Sequence, residues 1–314
     1  MTDKTTMPAR FIGCDVGKAQ IHVFDSRDAR VTCLPNDREA LAMFAAGLDE
    51  TCLVVCEATG GYEAALLDAV VGAGHAIHRA DARKVKAFIR SFGTLAKTDA
   101  LDARALARYG QERTDQLARW KPHDQQRDQL HLLVSTRRDL VQQRVAFSNR
   151  IAAPRSAPVA PRLRRILDTL DQEIDALDKD IRSLVKAHQP LHRDVKILTA
   201  IQGIGITTAV SLIAFMPELG SLDRRQAAAL AGLAPHPKQS GSNDPYRRTR
   251  GGRPEIKQIL FMAALAAARH NPALQTFYDR LRNNGKKPIV AIIALMRKII
   301  VIANARLKNA HSNI

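Results

Sequence analysis

The hydrophobic pattern of this 314-residue chain changes at Trp120 and Pro122. Before that point, short apolar runs bounded by glycine and polar residues predict strands that alternate with helices. After it, over 123–151 and about 162–187, apolar residues recur at spacings of three and four, which is typical of long helices. Three prolines separate the two helices: Pro154, Pro158 and Pro161. The pattern predicts an antiparallel hairpin with a coiled-coil seam, although a plain helical spacer would show the same spacing.

The fold class that follows is α/β plus all-α. We predict a mixed sheet domain over residues 1–118, a coiled-coil hairpin over 119–189 and a helical domain over 190–314. Strands are expected at 10–16, 20–25, 29–34, 52–56 and 76–79. The N-terminus is polar and no apolar run reaches the length of a membrane span, because Arg297 and Lys298 interrupt the longest one. We therefore expect a cytoplasmic protein that uses this last apolar segment as a buried helix.

Charge is distributed unevenly along the chain. Residues 1–118 carry 15 Lys and Arg against 16 Asp and Glu, whereas residues 119–314 carry 33 against 15. A polycationic region of this size favours a nucleic-acid partner over an anionic membrane or a ribosomal-type structural role. The four cysteines lack the paired spacing of a zinc site, so we expect buried free thiols in a reducing compartment.

Four acidic residues occupy positions that suit catalysis. Asp15 and Glu57 each follow an apolar run that predicts a strand, and acids at strand ends point into the crevice where open α/β sheets bind ligands. Asp99 and Asp102 share one face of a predicted helix whose N-cap is Thr98. Taken alone, such a pair is also typical of surface acids stabilised by the helix dipole. Together the four carboxylates suit Mg²⁺ or Mn²⁺, and two such ions about 3.5–4 Å apart support phosphodiester chemistry.

Two features of the C-terminal region point to phosphate chemistry. Gly203 and Gly205 lie between predicted helices at 195–201 and 206–215, a pattern of either a phosphate-binding helix-hairpin-helix or a plain helical hairpin. Further on, Ser240 lies in a polar segment that precedes a basic cluster: Arg247, Arg248, Arg250, Arg253 and Lys257. A serine that attacks a phosphodiester needs such cations nearby. Serine in a polar loop is more often a turn former, and Ser242 is an alternative nucleophile.

These motifs resemble those of the DEDD transposases of the insertion sequence one-hundred-and-ten family, whose relatives include the Piv DNA invertase. The matching segments are 12–18, 57–60 and 97–103, followed by Ser240-Gly241 and Gly251-Gly252-Arg253. The resemblance implies a RuvC-like, ribonuclease H-like N-terminal domain with Asp15, Glu57, Asp99 and Asp102 as metal ligands. It also implies that Ser240 is the covalent nucleophile of the C-terminal domain.

The resemblance further implies a transposase of an insertion sequence that cuts and rejoins double-stranded donor and target DNA. The family uses a structured guide RNA and acts as a homo-oligomer, either a dimer or a tetramer, with the coiled coil in assembly. Two alternatives within this chemistry are a RuvC-like structure-specific nuclease and an invertase without guide RNA. An actin-like ATPase or sugar kinase is another, because Asp15-Val16-Gly17-Lys18 is similar to a phosphate loop. The last is a non-catalytic nucleic-acid-binding protein.

Overall fold

A computed structural model describes residues 8–93, 98–122, 124–236 and 248–312. The chain forms two compact units, Met1–Pro122 and His123–Ile314. The division of the second unit at residue 189 stays a prediction from the sequence.

The first unit is built on one mixed five-stranded sheet. Its elements in chain order are β1 (Arg10–Val16), β2 (Gln20–Asp25), β3 (Val31–Pro35), α1 (Arg38–Ala46), β4 (Cys52–Glu57), α2 (Ala64–Gly72), β5 (Ala76–Ala80), α3 (Ala82–Arg90) and α4 (Asp99–Arg113). The strand order is β3-β2-β1-β4-β5. The first three strands pair as an antiparallel meander, β4 pairs parallel to β1, and β5 pairs parallel to β4. The predicted mixed α/β sheet is confirmed, and the predicted strand at 29–34 begins at Val31.

The two faces of this sheet carry separate cores. On one face, every second residue of β1 and β4 contributes to a core with α1 and α2. Cys14 and Cys56 are among these residues and pack with Leu41 of α1 and Leu66 of α2. The opposite face packs against α3 and α4 through a cluster that includes Phe11, Leu53, Val55, Leu106 and Tyr109. Because side chains alternate along a strand, the residues that precede Asp15 and Glu57 belong to the first face and the two acids to the second.

The four cysteines are free, as expected, but the expected burial is found for only three of them. Cys14, Cys52 and Cys56 are buried, and Cys33 is exposed. Burial raises the pKa of the Cys14 thiol well above its ordinary value and that of the Cys56 thiol to about 12. Both thiols therefore stay protonated near neutral pH and act as small apolar core residues.

The second unit begins with the predicted helical hairpin. Helix α5 (Gln125–Ala152) and helix α6 (Ala160–Ala187) run antiparallel and are joined by the ion pairs Arg137–Asp178 at 2.6 Å and Arg144–Asp171 at 3.3 Å. The elements that follow are α7 (Gln189–Thr199), α8 (Ile206–Phe215), α9 (Arg224–Leu230), β6 (Pro235–His236), β7 (Arg248–Thr249), α10 (Pro254–His270), α11 (Pro272–Asn283) and α12 (Pro288–Ser312). The short strands β6 and β7 were not predicted from the sequence.

Helix α12 is long and apolar enough to cross a membrane by length and composition. A buried helix of a packed core passes the same test, and α12 supplies Leu295, Met296, Ile299 and Ile300 to the core of this unit. That core also takes in Leu130 from the base of the hairpin. The expectation that no apolar segment reaches the length of a membrane span is therefore wrong for α12, whereas the expectation of a buried helix here is supported.

Candidate active site

The carboxyl ends of two neighbouring parallel strands bring Asp15 and Glu57 together. The register of β1 and β4 runs from Arg10 opposite Cys52 to Cys14 opposite Cys56. Asp15 and Glu57 are the next residue on each strand, so they stand side by side, and both are half-buried. This is the strand-end position in which open sheets present ligand-binding groups.

Helix α4 covers the same face of the sheet and runs antiparallel to β1. A Cβ on Gly13 would come within 1.9 Å of the Ala103 carbonyl oxygen, and one on Gly110 would come within 2.8 Å of the Val55 side chain. These two glycines let the helix lie directly on the strands. Because α4 runs opposite to β1, its first turn lies at the end of β1 that carries Asp15.

That first turn holds the remaining two acids. Thr98 caps the helix as predicted, because its hydroxyl accepts a hydrogen bond from the Leu101 backbone N–H at 3.3 Å. Asp99 Oδ2 lies 3.7 Å from Nδ1 of His22. Since His22 is the cross-strand partner of Asp15, this contact ties Asp99 to the strand end that carries Asp15.

Asp102 lies on the sheet-facing side of α4. It precedes the buried residues Leu106 and Tyr109 at the spacings of four and seven that share one helix face. Asp102 is half-buried, whereas the Asp99 side chain is 67% exposed. All four predicted acids therefore belong to one sheet face and one end of the unit.

The four acids do not form a preassembled metal cage. Within the described parts of the chain, no group of three or more His, Cys, Asp or Glu side chains lies close enough to hold an ion. This arrangement still suits Mg²⁺, which usually keeps several waters and binds through one or two carboxylates plus substrate phosphates. The donor chemistry fits a hard divalent cation, because the four side chains supply only oxygen.

One buried carboxylate beside the site was not anticipated. Glu63 is 1% exposed and accepts hydrogen bonds from the backbone N–H groups of Thr59 (3.2 Å) and Gly61 (2.9 Å) and from Nε of Arg79 (2.7 Å). Burial by itself would raise the pKa of this carboxyl, but hydrogen bonds from its own backbone N–H, Arg79, Gly61 and Thr59 lower it to about 2. Glu63 thereby fixes the segment that follows Glu57.

The predicted nucleophiles lie outside the described residues, as does Arg247. Residues on either side of them are in contact with each other. Strands β6 and β7 pair antiparallel, and the Arg253 backbone N–H donates to the Leu230 carbonyl at 2.8 Å. A Cβ on Gly252 would come within 2.1 Å of the Gly232 nitrogen, so two glycine backbones are in direct contact. The ends of the segment that carries Ser240 and Ser242 are therefore held close together.

The basic residues near this segment differ in what they contact. The guanidinium of Arg253 pairs with both oxygens of Glu218 at 2.7 and 2.6 Å and donates to the Phe215 carbonyl at 2.8 Å. Lys257 Nζ donates to the Thr249 hydroxyl at 3.3 Å. Arg250 is exposed, and Arg248 is described only through its backbone in β7. A contact of any of the four with nucleic acid stays a prediction.

Two helices flank the glycine pair as predicted, although α7 spans Gln189–Thr199 and not 195–201, and the turn between α7 and α8 contains both glycines. Gly203 has a φ of +104°, and a Cβ there would lie 2.6 Å from that of Ala267 in α10. Its lack of a side chain thus serves packing as well as the turn. Gly205 faces open space and begins α8 without a side-chain cap. Phosphate binding by this turn stays a prediction.

Comparison with known proteins identifies matches over both units. A family model described as Transposase, for DEDD-type proteins related to IS110, matches residues 12–154, and this range contains all four acids. A second model, described as Transposase IS116/IS110/IS902 family, matches residues 195–279. That range contains both turn glycines, both candidate serines and the basic cluster.

Among curated proteins, the chain is similar to the pilin gene-inverting protein of Moraxella lacunata. The two are 29% identical over 256 residues, which cover 80% of this chain and 79% of that protein. The protein of the same name from Moraxella bovis gives the same identity and coverage. An uncharacterized 43.6 kDa protein of insertion element IS110 from Streptomyces coelicolor is 34% identical over 129 residues, or 40% of this chain and 31% of that protein.

Proposed function

This chain belongs to the IS110 family of transposases and is a DNA recombinase. We propose that its four acids, Asp15, Glu57, Asp99 and Asp102, form a divalent-metal site for DNA strand cleavage. The observation that carries the proposal is the placement of Asp15 and Glu57 at adjacent strand ends, with the first turn of α4 on the same face. The sheet order and the helices on both faces support a ribonuclease H-like, RuvC-like fold for this unit.

The chain's own residues have distinct parts in this site. Asp15, Glu57, Asp99 and Asp102 would hold Mg²⁺ or Mn²⁺, which when bound supplies charge neutralisation at the scissile phosphate. The positive end of the α4 dipole lies at Asp99 and Asp102, a position where acidic side chains stabilise a helix. Gly13 and Gly110 bring the helix onto the sheet, and Glu63 fixes the backbone beyond Glu57.

Ser240 is the proposed nucleophile. Its hydroxyl oxygen would bond to the phosphorus of the scissile phosphodiester, while the bond to the leaving sugar oxygen breaks and that oxygen takes a proton. The product is a phosphoserine ester, and attack by the sugar hydroxyl of another strand reverses the step and releases the serine. Arg247, Arg248 and Arg250 would stabilise the charge on the phosphoryl oxygens. Ser242 is the alternative, and the match of residues 195–279 to the family covers both serines.

The proposed partners are double-stranded donor and target DNA, together with a structured guide RNA. The polycationic second part of the chain supports a nucleic-acid partner. We also propose a homo-oligomer, dimeric or tetrameric, in which the hairpin of α5 and α6 takes part in assembly. The place of action would be the cytoplasm, where bacterial DNA lies.

Strand cleavage by conservative variants tests the metal site. Asp15→Asn, Glu57→Gln, Asp99→Asn and Asp102→Asn should each abolish Mg²⁺-dependent cleavage of a labelled substrate while DNA binding is kept. Asp68→Asn on α2, which changes an exposed acid in the same way, is the control. If any two of the four variants retained cleavage, the proposal that these four acids form the metal site would be refuted.

Covalent trapping tests the nucleophile. Wild-type protein incubated with end-labelled DNA and denatured should carry label, and Ser240→Ala should not. If Ser242→Ala alone loses the adduct, the nucleophile is Ser242. If both single variants recombine DNA normally, the chemistry is that of a RuvC-like nuclease without a serine ester.

A second candidate is a DNA invertase that acts without guide RNA. Its inversion activity is supported by the similarity to the pilin gene-inverting proteins. Sequencing the nucleic acid that copurifies with protein expressed beside its native flanking DNA separates the two. One abundant RNA from the flank would identify a guided recombinase. Random RNA, or none, would favour the invertase.

A further inference from the structure

A groove of about 470 Å³ lies on the same sheet face as the four acids. Phe24 and Ser26 of the β2 end line one side, and Arg104, Arg108, Gln111 and Glu112 of α4 line the other. Phe24 is the cross-strand partner of Gly13, and His22, two residues earlier, is the partner of Asp15. The groove therefore starts about 7 Å along the sheet from the position of Asp15.

The α4 side of the groove presents a row of donors. Arg104, Arg108 and Gln111 are spaced at i, i+4 and i+7, so their side chains lie along one face of the helix that begins with Asp99. All three are exposed. These donors form the edge of the groove that faces Phe24 and Ser26.

The charges in the groove are not balanced. Its acid, Glu112, is already bound to Nε of Arg108 at 2.6 Å. Arg104 forms no ion pair with any of the described residues, and its guanidinium lies over the Phe24 ring, 5.2 Å from the ring centre. The groove thus offers one uncompensated cation beside an aromatic surface.

An uncompensated guanidinium and an aromatic ring are the two groups that proteins use to bind unpaired nucleic-acid strands. An acidic peptide would use the cation but has no need of the ring. We propose that this groove is the subsite for the strand that flanks the scissile phosphate, with a phosphate on the Arg104 guanidinium and the adjoining base stacked on the pair that Arg104 forms with Phe24. The inference rests on the proposed function, because it takes the four acids as the position of the scissile phosphate.

Crosslinking locates the strand. Full-length protein with Asp15→Asn, in the absence of divalent metal, is irradiated with oligothymidylate that carries a photoreactive thymine, and the crosslinked peptide is identified by mass spectrometry. We expect a crosslink at or beside Phe24. Crosslinks confined to residues 123–314 would overturn the proposal.

Affinity measurements test the two contacts separately. In the same background, Arg104→Gln should weaken binding of oligothymidylate about fivefold and lower the slope of log affinity against log salt by about 0.7, which is one single-strand phosphate contact. Arg38→Gln removes the same charge from α1 on the opposite sheet face and should change neither. Equal effects of the two variants would show that the groove binds no phosphate.

The base contact is tested with an abasic oligonucleotide. Phe24→Leu should weaken oligothymidylate binding and leave binding of the abasic strand unchanged, because only the former has a base to stack. An equal loss for both strands, or tight binding of a polyglutamate peptide that Arg104→Gln abolishes, would indicate a generic anion site. These measurements need no cleavage, so cleavage retained by the acid variants would refute the metal site independently of the groove.

Discussion

Gly13 of β1 lies directly beneath the carbonyl oxygen of Ala103 in α4. A Cβ at residue 13 would come within 1.9 Å of that oxygen and within 2.5 Å of the Ala107 backbone nitrogen. Both are main-chain atoms of a helix, so neither can move aside without the helix. The distance between β1 and the helix that carries Asp99 and Asp102 is therefore set by the absence of one methyl group.

Gly13→Ala should destabilise the first unit by about 1–3 kcal/mol, the usual cost of overpacking a well-packed core. It should also reduce DNA cleavage. The added methyl group would push α4 off the sheet, and this would move Asp99 and Asp102 away from Asp15 and Glu57. Urea unfolding followed by circular dichroism measures the first effect. Gly72→Ala in α2 is the control, since a Cβ there meets nothing within 4 Å. Equal stability of the two variants would contradict the packing argument.

Glu63 should make stability depend on pH under acidic conditions. Its folded-state pKa of about 2 lies below the ordinary value of 4.5, so the unfolded chain takes up a proton first. Its contribution is fully present above pH 4.5 and is lost as the pH falls towards 2. Glu63→Gln should cost on the order of 2 kcal/mol at pH 7 and flatten this part of the profile. Chemical unfolding at several pH values measures both effects, with exposed Glu50→Gln as the control.

Much of the first unit could be predicted from the sequence, because its determinants are local. The apolar runs that end in Asp15 and Glu57 predicted the strands, and Thr98 predicted the start of α4. Glu63 could not be predicted in this way, because its partner Arg79 is 16 residues away and only the folded sheet brings the two together. The sequence offered one signal for the role of Glu63. It closely follows Gly60 and Gly61, where backbone N–H groups need acceptors.

The second unit shows the same limit. The sequence predicted α8 with its observed bounds, Ile206–Phe215. Strands β6 and β7 have two residues each, which is too short to give a pattern. From the sequence, Arg253 was predicted to bind nucleic acid with the other residues of the basic cluster, because its charge and position resemble theirs. Only the fold reveals that its guanidinium is bound to Glu218, 35 residues earlier.

Arg253 should matter for stability more than for nucleic-acid affinity. Lysine cannot reproduce its two-pronged contact with Glu218 together with the bond to the Phe215 carbonyl, so Arg253→Lys should destabilise the protein by about 1–2 kcal/mol. Arg250→Lys, at an exposed position, should leave stability within about 0.5 kcal/mol of wild type. Thermal unfolding of both variants provides the comparison. A larger loss for Arg250→Lys would mean that the pair with Glu218 is not stabilising.

Arg248 and Arg250 should act by neutralising phosphates. Replacing both with Gln should weaken duplex DNA binding and reduce the slope of log affinity against log salt by about 0.9 for each phosphate left without its arginine, because fewer counterions are released. Binding titrations between about 50 and 200 mM salt measure the slope. The matched control replaces Arg30 and Arg38, two exposed arginines of the first unit, and removes the same charge. If both double variants lower the slope equally, the effect comes from net charge, and Arg248 and Arg250 do not contact DNA.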